Sequence, residues 1–73
     1  MKTYFKKGIS NFCIDDEAQN YIQVNISTSE NAIIKGANPK VLELLMGAVS
    51  TEEALTEEEF NSKRDQVLSV INS

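Results

Sequence analysis

The chain reads as an α+β domain: a small antiparallel three- or four-stranded meander followed by two helices packed on one face. Three observations predict it. Before Gly36 the apolar residues Phe12, Ile14, Ile22, Val24 and Ile26 fall at alternating positions, the period of half-buried strands. After Asn38-Pro39 the spacing changes, and Val41, Leu42, Leu45, Met46 and Val49 form one helical stripe. Leu55-Thr56-Glu57-Glu58-Glu59-Phe60 then spells out a helix start. Thr56 and Glu59 make a capping box, and Leu55 and Phe60 make its hydrophobic staple. The three glutamates suit the positive end of the helix dipole.

In chain order, Tyr4 and Phe5 make a short strand that ends before Gly8. Asp15 to Asn20 is a polar turn between the next two strands. Pairing Ile14 with Ile22 sets Phe12 opposite Val24 and Ser10 opposite Ile26, which gathers the apolar side chains on one face. Ser27 to Asn31 is a second turn, and pairing Ile34 with Ile26 keeps that face apolar. Asn38 caps the first helix, with Pro39 at the first helical position. Ser50 to Glu53 caps a further short turn. The final helix buries Phe60, Val67, Leu68 and Ile71, with the stem of Arg64 filling the stripe. Strands occupy about 3–36 and helices about 39–49 and 57–71 of a single domain, 1–73.

Length and composition bound the function. A 73-residue chain buries roughly 60% of its unfolded surface, and a single core of this size supplies only about 3–5 kcal/mol. Cys13 is the sole cysteine and histidine is absent, so neither an internal disulfide nor a Cys/His zinc site is available. Self-association or a protein partner is the expected source of further stability. Net charge is −4. Lys2, Lys6, Lys7 and Lys35 balance the acids up to Gly36, which leaves the surplus in the C-terminal half. An acidic chain with one arginine is a poor binder of nucleic-acid backbones. No apolar run approaches the ~18 residues of a membrane span, and the start lacks the apolar stretch of a signal peptide. A cytoplasmic protein, or one carried in a virion, is the expectation. Lysine outnumbers arginine six to one, and isoleucine and asparagine occur seven times each; AT-rich codons favour these residues, as in an AT-rich bacterium or its phage.

Candidate chemistry is sparse. Cys13 is the only strong nucleophile, with no histidine to activate it. Asp15-Asp16-Glu17 lacks the alternating oxygen ligands and the glycine of a calcium loop. The acids lie in turns and helix starts, not in the apolar pocket that acid–base catalysis needs. No enzyme and no cofactor or metal is expected. On the sheet face away from the helices, Cys13, Tyr21 and Ile33 form a candidate interaction surface, and the sheet edges offer a second route. Glu52, Glu53, Glu57 and Glu58 form a candidate acidic surface that imitates phosphate charge.

The segment Leu55 to Arg64, followed by Val67-Leu68, resembles the second helix of the SHOCT family. These short C-terminal modules of bacterial and phage proteins carry a leucine-bearing helix, a turn and a helix opening Thr-Glu-Glu-Glu-Phe. Leu42 and Leu45 match the first helix. The resemblance covers at most the last 32 residues and departs from the pattern in the longer Gly47 to Ala54 connection, which lacks the glycine-isoleucine turn. It implies oligomerisation. The expected function is a non-catalytic protein–protein interaction or assembly module, a small accessory protein. The alternative is a small acidic regulator that occupies a basic site on a host nucleic-acid-handling protein.

Overall fold

Four strands follow one another as an antiparallel meander: β1 Lys2–Lys7, β2 Ser10–Asp15, β3 Asn20–Ile26 and β4 Asn31–Gly36. A computed structural model of the chain describes residues 1–72; Ser73, at the end of the expected domain, lies outside them. Helix α1 (Pro39–Ala48) comes next, then a two-residue strand β5 (Glu53–Ala54) and helix α2 (Glu57–Ile71). Strand β5 returns to pair with β1, so the five-stranded order is β4-β3-β2-β1-β5. The α+β class and the meander-then-helices order match the sequence reading, with one strand more.

Local signals set the turns. Gly8 has φ +60° between β1 and β2, the conformation a two-residue hairpin asks of glycine. The loop between β2 and β3 is four residues, Asp16 to Gln19. Asp15 Oδ1 closes it by accepting from the Glu17 and Ala18 amides at 3.1 and 3.0 Å, and Gln19 takes φ +56°. The loop Ser27 to Glu30 closes by the Ser27 amide donating to the Glu30 carbonyl at 2.8 Å.

These loops set registers one to three residues from those expected. Cys13 faces Ile22 and Ile14 faces Tyr21, while Ile26 faces Asn31 and Ile34 faces Gln23. Phe12 and Ile14 therefore turn to one side of the sheet, and Ile22, Val24 and Ile26 turn to the other.

The reason is that the helices cover opposite faces. On one face α1 sets Leu42 against Phe5, Phe12 and Ile14, flanked by Tyr21, Leu45, Ala48 and Val49. The Phe5 and Phe12 rings stack at 4.9 Å between centroids. On the other face α2 sets Phe60 and Val67 against Cys13 and Val24, flanked by Tyr4, Ile22, Ile26 and Ile33. With both faces buried, apolar residues belong on both, and alternation no longer selects the one-face register. Leu68 and Ile71, expected in the core, are instead 39% and 51% exposed.

Candidate functional site

Because both faces carry a helix, the sheet's edges decide what it can offer another molecule. The β1 edge is occupied. Strand β5 pairs Ala54 with Phe5 and Glu53 with Lys6, and the Leu55 amide donates to the Tyr4 carbonyl at 3.1 Å.

At the other edge, β4 has no further strand beside it among the described residues. Which of its backbone groups point outward follows from alternation. The Ile26 amide donates to the Ile9 carbonyl, toward β2, whereas that of Ser27 donates toward Glu30. Even-numbered residues of β3 therefore bond toward β2, and odd-numbered ones bond toward β4. Their β4 partners Ala32, Ile34 and Gly36 turn inward. Asn31, Ile33 and Lys35 turn N–H and C=O outward, a row of donors and acceptors of the kind that recruits a strand.

The side chains along this edge are mixed. Ile33 is half-buried under α2, while Ile34, on the α1 face, is 43% exposed. Beside Ile34, α1 gives way to a polar network. Ser10 Oγ donates to Asn25 Oδ1 at 2.7 Å, and Gln23 Nε2 donates to Ser10 Oγ at 3.1 Å and to Asn25 Oδ1 at 3.0 Å. Lys35 is the one charged residue of β4. The strand is continuously paired with β3 and contains no proline, so it lacks two of the usual edge-blunting devices.

The sequence-predicted interaction surface is not assembled. Cys13 is 7% exposed beneath Phe60 and Val67, and burial pushes its thiol pKa upward. Ile33 shares that covered face. Tyr21 lies on the opposite face, half-buried beside Ile14 and Leu42, with its ring over its cross-strand partner Gly36. The second helix covers the face that was expected to be free.

The acidic candidates do gather, at the edge remote from β4. Glu53, Glu57 and Glu58 are exposed around β5 and the start of α2, and Glu52 is half-buried. Several acids there already have local roles. Glu57 accepts from the Tyr4 hydroxyl at 3.1 Å. Burial, with this bond second, pushes the Tyr4 phenol up to about 12. Thr56 and Glu59 form the predicted capping box, with bonds of 2.9 and 3.0 Å; the Thr56 amide donating to the Glu59 carboxylate, with the Thr56 hydroxyl second, lowers the Glu59 pKa.

Two other features hold polar groups. A shallow depression where β3 begins and β4 ends is lined by Tyr21, Lys35 and Gly36 among others. Asn11 is 2% exposed; its Nδ2 donates to the Val24 carbonyl at 3.1 Å, while Oδ1 has no protein partner among the described residues.

The β4 edge residues Asn31, Ile34 and Lys35 were not singled out by sequence. A signal existed: β4 is the last meander strand and leads directly into α1, which leaves its outer side open unless a later segment returns to it. Strand β5 returned to β1 instead. Among the described residues no helix is long and apolar enough to cross a membrane. No family model, no curated protein and no solved structure matches this chain.

Proposed function

We propose that this chain is a non-catalytic protein–protein interaction or assembly module that engages its partner through the β4 edge. The observation that carries this is the outward row of backbone groups on Asn31, Ile33 and Lys35, next to the exposed Ile34. An edge of this kind gains main-chain hydrogen bonds from an added strand, with side-chain pairs supplying specificity. The thin core agrees with the reading, since a partner adds buried surface. So does the likeness of residues 55–68 to helices of oligomerising SHOCT modules.

A second reading draws on Glu53, Glu57 and Glu58, which are exposed together at the opposite edge: an acidic regulator that blocks a basic site. Salt separates the two, because exposed charge pairs weaken as ionic strength rises. Photo-crosslinkers placed at Ile34 and at Glu58 in the full chain, used in native extract with products identified by mass, test both. Salt-tolerant protein adducts from position 34 support the edge reading. Adducts only from position 58, lost at high salt, would replace it with the acidic one.

A further inference from the structure

Resting on that reading, we infer that the occupant of the β4 edge is a second copy of this chain, paired antiparallel and centred on Ile33. Two five-stranded sheets then become one continuous sheet about a two-fold axis normal to it.

Register carries the inference. A two-fold axis normal to the sheet keeps each face on its own side, so the residues brought opposite one another share parity. Centring on Ile33 sets Ile33 against the partner's Ile33 and Asn31 against the partner's Lys35. All three outward-turned residues of each β4 then exchange both backbone bonds. Centring on Ala32 or Ile34 leaves one end of that row beyond the partner's strand. The Ile33 register also puts Ile34, 43% exposed, against the partner's Ala32. Lys35 meets a neutral amide instead of its own copy, a like-charge pair that would repel. Self-complementarity of this kind is what an isologous two-fold interface requires.

Two further features agree. The exposed acids Glu53, Glu57 and Glu58 sit at the β5 side of the sheet, so joining two chains of net charge −4 at β4 keeps them apart. On α2, Ile71 continues the inward stripe of Phe60, Arg64 and Val67, at spacings of four, three and four, yet it is 51% exposed. The end of the stripe is left uncovered. Helix α2 packs on β2, β3 and β4, and strands added beyond β4 widen the apolar floor on that side.

The test is sedimentation equilibrium of the full chain over a wide concentration range, with amide hydrogen exchange at each end of it. A dimer is expected, with the Asn31, Ile33 and Lys35 amides protected when concentrated and freed on dilution. Lys35→Pro removes one outward N–H and leaves the β3–β4 ladder alone. Symmetry doubles the loss, so dimerisation should weaken by about fivefold or more with an unchanged circular dichroism spectrum. Should that variant misfold, Asn31→Lys tests the same register by setting a like charge against the partner's Lys35, twice over by symmetry, and should weaken the dimer likewise. A single-copy mass at every concentration overturns the inference, as does a dimer whose Ile33 amide exchanges freely and which both variants leave intact. A monomer that still cross-links another protein from position 34 sinks self-pairing and spares the interaction reading. A monomer that cross-links nothing sinks both.

Discussion

The two faces of the sheet are covered by helices of unequal anchorage. Helix α2 spans fifteen residues, buries Phe60 and Val67, and opens with a complete capping box. Its Phe60 ring also meets Tyr4 at 5.5 Å between centroids. Helix α1 spans ten residues and buries only Leu42; its cap is Asn38, which accepts from the Lys40 and Val41 amides at 2.9 and 3.4 Å. Isolated helices this short are marginal in water, so each depends on its grip on the sheet. Unequal anchorage of this kind grades stability across a molecule, so α2 should belong to the central unit and α1 should open first.

Phe60→Ala should have the largest effect. It should cost about 3–5 kcal/mol, close to the whole stability of a single small core, about 3–5 kcal/mol. The expected outcome is loss of a cooperative urea transition near room temperature. Phe5→Ala, at an equally buried site on the α1 face, should do the same, because that ring belongs to the sheet as much as to α1's contact. If Phe60→Ala kept a full transition, α2 would not be the central helix.

Leu42→Ala sharpens the contrast. It removes the only buried residue of α1 and should cost about 2–5 kcal/mol. Native-state hydrogen exchange should show the α1 amides losing protection before those of α2. The reverse order would invert the comparison.

Capping substitutions come next. Thr56→Ala should lower stability by about 0.5–2 kcal/mol, read as a lower urea midpoint. Asn38→Ala should fall in the lower part of that range, since it caps the more weakly anchored helix. Equal shifts would mean the two helices unfold together.

The smallest effect is a titration. Tyr4, packed beside Phe60 on the α2 face, has its phenol raised from 10.0 to about 12 by burial and then by the Glu57 hydrogen bond. A raised folded-state pKa stabilises fully below the unfolded value, and that contribution disappears as pH climbs through the folded value. Stability should therefore decline from about pH 10 toward pH 12. In a Tyr21→Phe background the phenolate absorbance should rise late, and Glu57→Gln should bring it earlier. A phenol that titrates at the ordinary value would mean that the α2 face admits water at Tyr4.

How much of this was legible in the chain varies by kind of signal. The start of α2 was readable from Thr56 and Glu59, and that of α1 from Asn38 and Pro39, because a cap is a contact between residues three apart or fewer. Gly8 marked the first turn for a similar reason. The pairing of Ile14 with Tyr21 was not readable, since its cause is a four-residue loop closed by the Asp15 side chain. Ser27 plays the same part in the next loop, with its Oγ accepting from the Glu30 amide at 2.8 Å. Nor did Cys13 announce its burial. Lying between Phe12 and Ile14, it falls by alternation on the face opposite theirs, and nothing nearby in sequence says that a helix more than forty residues later covers that face.

The amino-acid order alone determined the four meander strands, the two helices and where the helices begin, because those choices rest on neighbours a few positions apart. The two-residue β5, which reads as a turn in sequence, exists only through its pairing with β1. Only the tertiary structure decided the strand registers, the face each helix covers, and which edge of the sheet is left open. Those outcomes depend on distant residues competing for the same buried surface. Once a helix lies on each side, alternating apolar residues satisfy more than one register, and loop closure chooses among them.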